Sequence, residues 1–375
     1  MKITKLELFA VKPRWLFLKM STDEGVSGWG EPIVEGRAST VRQCVHELEH
    51  YVIGMDPRNI EDNFQVLYRG GFYRGGPILS SAISGLEQAM WDIKGKALGL
   101  PVYELLGGRV RNKVRMYCGA GGVEDVLMKK EAGYSALKLG SLGATGFMDT
   151  YAKIDRRVRQ IAEIREKVGY DLDLAIDFHG EVHRPMAKVF AHELEPLHMM
   201  FIEEPVLCDN MEAFAEIAKH TSIPIATGER LYTRWDYKRL FDQKVVDIVQ
   251  PDLSHAGGIW ECRKIAAMAE AYDMAVAPHC PLGPISLAAC VQLDACTPNA
   301  FIQEQALNLH DPNGEWRAYL RNPDVFTLRD GFVDVPTLPG LGLDVDEDAV
   351  RAADATGHDW KNPILRLEDG SFAEW

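Results

Sequence analysis

The sequence predicts an α/β fold in which a barrel of about eight βα units follows an α+β segment. Short apolar runs alternate with amphipathic helical stretches from about residue 114 onward, a pattern typical of parallel βα units. Ionisable residues end six of these runs at a nearly constant interval. Before that point the chain opens with strand-like alternation and continues with helical periodicity.

The opening segment, residues 1–112, predicts strands followed by helices. Alternating apolar residues predict strands over 3–11, 16–22 and 26–29. Helical periodicity follows over 39–52, 62–68 and 80–98. The last helix is expected to end before Gly99-Leu-Pro101, because glycine and proline end helices.

Residues 113–318 predict the barrel. Its eight apolar runs are 115–118, 136–139, 173–176, 200–202, 225–226, 248–249, 275–277 and 301–302. Residues 319–375 are Gly/Pro-rich and extended, and they end in a polar tail. We expect this C-terminal segment to pack against the opening segment and complete a discontinuous capping domain.

Composition excludes several classes of function. The 41 Lys and Arg against 55 Asp and Glu give a formal charge of −14, which repels nucleic acid and anionic membranes. No run approaches the ~20 apolar residues of a membrane span, and charged residues near the N-terminus argue against a signal peptide. The seven cysteines are scattered without CxxC spacing, which predicts free thiols and a cytoplasmic protein.

The polar residues that end the apolar runs predict one site. In a βα barrel the carboxyl ends of all strands open onto one mouth, where chemistry takes place. These residues are separated by 26, 26, 23, 27 and 25 positions, one for each βα unit, and they are Asp177, Glu203, Glu229, Asp252, His279 and Glu304.

Asp177, Glu203 and Glu229 come from three consecutive units and predict a metal site. Oxygen ligands without thiolates favour Mg²⁺ or Mn²⁺. A cation would also relieve the repulsion between three converging carboxylates. Because strand side chains alternate, only one of Glu203 and Glu204 can face the mouth, and we choose Glu203.

Two histidines predict acid–base chemistry. Asp252 and His279 end neighbouring strands, so the carboxylate can fix the tautomer of the imidazole and raise its basicity. His179 lies two residues after Asp177, and alternation is expected to place both on one face of the strand.

At this point the sequence resembles the mandelate racemase branch of the enolase superfamily, and in particular its acid-sugar dehydratases. The resemblance covers nearly the whole chain, and its strongest motifs are Asp177-Phe-His-Gly180, Phe201-Ile-Glu-Glu-Pro-Val206, Gln250-Pro-Asp-Leu-Ser-His-Ala-Gly-Gly258 and Ala277-Pro-His-Cys-Pro-Leu-Gly-Pro284. It extends to Pro13-Arg14-Trp15 and to the closing Ala373-Glu-Trp375. Where racemases of this branch carry Lys-x-Lys, this chain reads Lys138-Leu-Gly140.

The resemblance implies a modified (β/α)7β TIM-type barrel with an α+β capping domain and one Mg²⁺ in each active site. It implies dehydration of an aldonate, D-galactonate before D-gluconate, through an enediolate to a 2-keto-3-deoxy acid. The implied metal ligands are Asp177, Glu203 and Glu229. The implied catalytic residues are His279 as C2 base with Asp252, and His179 as C3 acid. The implied substrate ligands are Lys138, Arg14 and a protonated Glu304. We also expect a homo-oligomer that acts on a small acid sugar.

Three alternatives remain beside this interpretation. A racemase or epimerase of the same family would use the same acid–base pair without a leaving group. A metal-containing binding protein would retain the ligands without turnover. The zincin-like His46-Glu-Leu-Glu-His50 is disfavoured, because the apolar stripe of its helix, Val41, Val45, Leu48 and Val52, leaves both histidines on the solvent face.

Overall fold

A three-stranded antiparallel sheet followed by helices forms the N-terminal part. The structure is a computed structural model that describes residues 1–309 and 311–374; Trp375, the end of one predicted motif, lies outside them. The strands pair in the order β1-β2-β3 and are β1 (Ile3–Val11), β2 (Trp15–Thr22) and β3 (Ser27–Gly30). The helices that follow are α1 (Ala38–Val52), α2 (Ile60–Arg69), α3 (Pro77–Leu98) and the short α4 (Val102–Leu105).

Helix α3 is buried along most of its length against β3. A side chain on Gly30 would collide with the Gly85 carbonyl, so glycine permits this close approach. The predicted zincin-like motif lies on α1, where Val41, Val45, Leu48 and Val52 are buried. His46 and His50 are exposed, which confirms that this motif faces solvent.

Eight parallel strands form the barrel. They are β4 (Lys113–Ala120), β5 (Ala136–Gly140), β6 (Asp173–Asp177), β7 (Ile202–Glu203), β8 (Ile225–Thr227), β9 (Ile248–Val249), β10 (Ala275–Val276) and β11 (Gln303–Glu304). The sheet order is β10-β9-β8-β7-β6-β5-β4-β11. A parallel bridge between Val276 and Ala300 connects β10 to the chain just before β11 and so joins the ends of the sheet.

One α-helix lies between each pair of consecutive barrel strands. They are α5 (Val123–Glu131), α6 (Tyr151–Val168), α7 (Arg184–Glu193), α8 (Met211–Ile217), α9 (Arg234–Gln243), α10 (Ile259–Ala271) and α11 (Pro284–Ala295). Across the described part of the chain this makes eight strands and seven connecting helices, which confirms the predicted (β/α)7β architecture. Strands β7 and β11 begin later than the apolar runs 200–202 and 301–302 suggested. Before β11, Asn299 and Phe301 bond to Val276, and only Gln303–Glu304 pair with β4.

The C-terminal segment returns to the N-terminal sheet. Strand β12 (Phe332–Asp334) pairs antiparallel with β4, and helix α12 (Glu347–Thr356) packs on β1. The Asp354 carboxylate accepts a hydrogen bond from Ala10 N at 2.7 Å. The prediction of an extended tail missed α12, which is amphipathic but has Val350 as its one buried residue, its other apolar positions being alanines. Its signal is the N-cap Asp346, whose side chain accepts from Ala349 N.

The structure also bears on the cysteines and on membrane-spanning helices. The seven cysteines are all free thiols, as their spacing predicted. Within 1–309 and 311–374, none of the helices is long and apolar enough to cross a membrane.

Candidate active site

The predicted site residues meet at the carboxyl ends of the barrel strands. A cavity of about 700 Å³ opens there. Barrel residues that line it include Lys138, Asp177, His179, Glu229, His279 and Glu304. The N-terminal part contributes Arg14 and Glu35, and the C-terminal segment contributes Trp360 and Asn362. The cavity therefore lies between the barrel and both ends of the chain.

Lys138 lies at the centre of the carboxylate cluster. Its Nζ is 2.9 Å from Asp177 Oδ2, 3.0 Å from Glu203 Oε2 and 2.8 Å from Glu304 Oε1. The strand register explains part of this grouping. Asp177 pairs with Gly140, which lies two residues after Lys138 on the same face of β5, and Asp177 also pairs directly with Glu203. One ammonium group thus bridges carboxylates from three strands.

Burial and neighbouring charges divide the carboxylates into two groups. Burial disfavours ionisation of Asp177 and Glu304, but the Lys138 ammonium outweighs it and lowers the pKa of each. Burial and then the Asp177 charge raise the pKa of Glu203 well above its usual range. Burial and the Glu204 charge raise the pKa of Glu229 to about 7. The cluster therefore has more carboxyl groups than cations, and the raised pKa values of Glu203 and Glu229 reflect this excess.

The predicted Asp252–His279 pair is present. His279 Nδ1 lies 2.8 Å from Asp252 Oδ2, and the two residues form a parallel bridge beyond the ends of β9 and β10. His279 Nε2 lies 3.4 Å from Glu229 and 3.8 Å from Glu304. Burial opposes protonation of His279, but the charges of Glu229, Glu304 and Asp252 raise its pKa well above the usual value.

His179 reaches the site by a different route from the one predicted. Strand β6 ends at Asp177, and His179 adopts a left-handed conformation with φ of 49°. Its backbone N–H donates to Asp177 Oδ1 at 2.8 Å, and its Nε2 lies 3.1 Å from Asp177 Oδ2. Arg230 donates to the His179 carbonyl and pairs with Glu204, which is buried behind the site. A hydrogen-bonded turn, not strand alternation, therefore places His179 beside Asp177.

The donor set fits a hard divalent cation. Glu203 is fully buried, yet its Oε1 has no hydrogen-bond partner among the residues the structure describes. Glu203, Glu229 and His279 each offer a ligand atom, and these atoms lie within 4.8 Å of one another. The predicted ligand Asp177 is not in this group; its Oδ2 lies 2.9 Å from Lys138 Nζ and 3.1 Å from His179 Nε2. Oxygen donors nonetheless dominate the cluster, as Mg²⁺ requires.

The remaining predicted residues also lie at the cavity. Arg14 is buried, its Nη2 donates to Pro281 O at 3.2 Å, and it lies 3.5 Å from Glu35. Glu304 accepts hydrogen bonds from Cys280 N at 3.0 Å and from Lys138. This differs from the expected protonated Glu304, because two cationic neighbours, Lys138 and His279, favour the carboxylate form.

Sequence reasoning missed several residues of the site. His255 lies 3.7 Å from both Asp252 and Glu35, and its Nδ1 lies 2.8 Å from Ser81 Oγ. Its signal was the i, i+3 spacing from Asp252, which places both in one turn. Glu35 and Trp360 gave no local signal, since they reach the cavity only through the packing of the two chain ends on the barrel.

Comparison with known proteins identifies the family. The N-terminal domain model described as mandelate racemase / muconate lactonizing enzyme matches residues 10–107, and the enolase C-terminal domain-like model matches 123–349. The chain belongs to the mandelate racemase branch of the enolase superfamily. This confirms the resemblance drawn from the motifs.

Relatives with a described activity cover the whole chain. D-galactonate dehydratases from Ralstonia pickettii strain 12J and Pectobacterium atrosepticum strain SCRI 1043 are 54% and 51% identical over 100% of both chains. Among solved structures, a mandelate racemase/muconate lactonizing enzyme from Sulfitobacter sp. is 31% identical with a TM-score of 0.90, again over 100% of each chain.

Proposed function

We propose that this protein is a hydro-lyase that dehydrates an acid sugar, with D-galactonate as its best substrate and a 2-keto-3-deoxy acid as product. The observation that carries the proposal is the placement of two histidines at one cavity. His179 follows β6 and His279 follows β10, four positions apart in an eight-strand barrel and hence on opposite sides of it. The full-length similarity to D-galactonate dehydratases supports the choice of reaction and substrate.

His279 is the base that takes the proton from C2. For this role its Nε2 must be unprotonated, and a cation held by Glu229 would favour that form, because the Glu229 charge contributes most to raising the His279 pKa. Asp252 accepts at Nδ1, so Nε2 faces the cavity and the tautomer is fixed. Such a positioned base contributes about 10²–10⁴ in rate. Removing the proton leaves negative charge on the substrate carboxylate, and the Lys138 ammonium lies where it can stabilise that charge.

His179 is the acid that protonates the departing C3 hydroxyl. It stands across the barrel from His279, so proton removal and loss of hydroxide take place on opposite sides of the substrate. Loss of water gives an enol, which becomes the keto acid. Arg14, Lys138 and Glu304 line the same cavity and hold the polar groups of the aldonate.

Asp177, Glu203 and Glu229 would hold the Mg²⁺ that the family implies. When bound, Mg²⁺ supplies a Lewis acid that lowers the cost of negative charge on a carboxylate. The excess of buried carboxylates over cations described above supports a divalent ion at this place.

One observation disfavours racemisation. A racemase with the Lys-x-Lys pattern would need a lysine base on β5, but Lys138 is held in three ion pairs and Gly140 replaces the second lysine of that pattern. Racemisation through a lysine base is therefore disfavoured.

The test separates the two histidines. In D₂O with saturating Mg²⁺ and D-galactonate, we expect His179→Asn to exchange the C2 proton while forming little keto acid. We expect His279→Asn to lose both, because elimination requires proton removal first. Proton NMR of recovered substrate measures the exchange. Exchange retained in His279→Asn and lost in His179→Asn would reverse the two roles, and no keto acid from the parent enzyme with any aldonate would refute the function.

A further inference from the structure

Glu31 is a fully buried carboxylate at the contact between the N-terminal part and the barrel. It directly follows β3, and its two oxygens accept hydrogen bonds from Gly283 N at 2.7 Å and Ser286 N at 3.0 Å. These N–H groups begin helix α11, where a carboxylate is favoured. A Cβ on Gly283 would lie 2.6 Å from Glu31 Oε1, so glycine is needed for this approach.

Glu31 is connected to the Asp252–His279 pair in two ways. Along the chain, Gly283 lies four residues after His279. Through hydrogen bonds, the Ser286 hydroxyl contacts the Ser254 hydroxyl, and Ser254 N donates to Asp252 Oδ1 at 2.7 Å. The other Asp252 oxygen accepts from His279.

Helix α3 supports the same network. Gln88 Oε1 accepts from Glu31 N at 2.9 Å, and Gln88 Nε2 donates to Ser254 Oγ at 3.0 Å and to Leu253 O at 3.3 Å. Glu31, Gln88 and Ser254 are all buried, so water cannot replace a lost partner at low cost. The N-terminal part therefore contacts the loops after both β9 and β10 at one point.

We infer that Glu31 is a positioning residue for the Asp252–His279 pair. It does not contact the substrate; it fixes the loop that carries His279 and, through the two serines, the carboxylate that orients the imidazole. The inference rests on the proposed role of His279 as the C2 base.

Glu87 provides a matched control. It is also a buried carboxylate of the N-terminal part, and it accepts from Ile259 N at 2.7 Å and Trp260 N at 2.8 Å at the start of helix α10. Among the described residues its hydrogen bonds go to these two groups and to Trp91, and none reaches the histidine pair. Its loss should destabilise the same interface without moving His279.

The experiment compares Glu31→Ala, Glu31→Gln and Glu87→Ala in the full chain with Mg²⁺. A displacement of about 1 Å at a catalytic group can cost roughly 100-fold in rate. We therefore expect Glu31→Ala to lower kcat for both C2 exchange and dehydration by about 10- to 100-fold, with KM changed less than about 3-fold. Glu31→Gln keeps one acceptor and should recover part of the loss. Glu87→Ala should keep kcat within about 3-fold of the parent.

Hydrogen exchange measured by mass spectrometry, without substrate, gives a readout independent of activity. Glu31→Ala should raise amide exchange at both 252–255 and 279–287, and Glu87→Ala only near 257–262. Equal kcat losses in the two alanine variants, or unchanged exchange at 252–255, would overturn the inference. Because exchange is read without turnover, it decides the inference even if the proposed reaction fails.

Discussion

Replacing Lys138 by methionine should make the stability of this protein depend on a divalent cation. The ammonium group is buried and lies 2.8–3.0 Å from three carboxylates. Removing it leaves Asp177, Glu203 and Glu304 without their shared cation, and breaking a buried ion pair in this way costs about 3–5 kcal/mol. With an unfolding entropy of about 2.1 cal/mol/K for each of 375 residues, this lowers Tm by roughly 4–6 °C.

The loss should be reversed by Mg²⁺ and by acid. A ligand at 100 times its Kd adds about 2.7 kcal/mol to the stability of the folded state, so Mg²⁺ should recover roughly half to nine-tenths of the loss. Lys138 lowers the pKa of Asp177 and Glu304, so its stabilisation is present above their unfolded pKa of about 4 and is lost as pH falls through their lowered values. The difference between parent and variant should therefore shrink below about pH 4.

Thermal unfolding in EDTA and in Mg²⁺, at pH 7 and at about pH 3, measures these effects. Arg329→Met is the control, since Arg329 pairs with Asp334 at 2.8 Å but both side chains are 71% exposed, and its loss should change Tm little. A Tm for Lys138→Met equal to that of the parent in EDTA at pH 7 would refute the reasoning. So would an equal gain from Mg²⁺ in both proteins.

Three further predictions concern the metal, the substrate and an isolated carboxyl. Glu229→Gln should weaken Mg²⁺ binding, measured by calorimetry, at least about 10-fold. In the parent, activity lost in EDTA should return with Mg²⁺ or Mn²⁺, and full activity without metal would contradict the metal site. The enzyme should have a higher kcat/KM for D-galactonate than for D-gluconate. A kcat/KM for D-galactonate about 100-fold below that for another acid sugar, or about 2.7 kcal/mol, would refute its assignment as the best substrate. Asp294 is buried, both its oxygens lack hydrogen-bond partners in 1–309 and 311–374, and burial raises its pKa to about 8. A carboxyl whose pKa is raised in the folded state destabilises that state as pH rises from about 4 to 8. Asp294→Asn should therefore raise Tm at pH 8.5 and not at pH 4. An unchanged Tm at pH 8.5 would contradict the raised pKa of Asp294.

Most of what the sequence predicted about the barrel and its site rests on the regular spacing of ionisable residues. One such residue in each βα unit indicates both the barrel and the face on which the side chains meet, because parallel strands share that face. Asp252 and His279 were paired correctly on this ground alone. The mixed α/β barrel follows from the same pattern, whereas the family was inferred from the resemblance of the motifs around these residues.

Features that depend on packing between distant segments could not be predicted. Lys138 lies inside an apolar run, and nothing in that run shows that its ammonium joins three carboxylates. His179 was placed by strand alternation, but the strand ends at Asp177 and a turn takes over. Helix α12 was not predicted because its apolar stripe consists of Val350 and small alanines, and its hydrogen bond to Ala10 on β1 has no local sequence signal.

The return of α12 to β1 has a consequence for the order of folding. The hydrogen bond from Ala10 N to Asp354 joins residues 344 positions apart, so the N-terminal sheet meets its last partner only after the barrel between them has been synthesised. Contacts this distant in sequence form late, because chain closure must precede them. We expect the barrel to collapse first and the cavity to be enclosed in the final step, so that a chain arrested before α12 would hold barrel strands but no closed site.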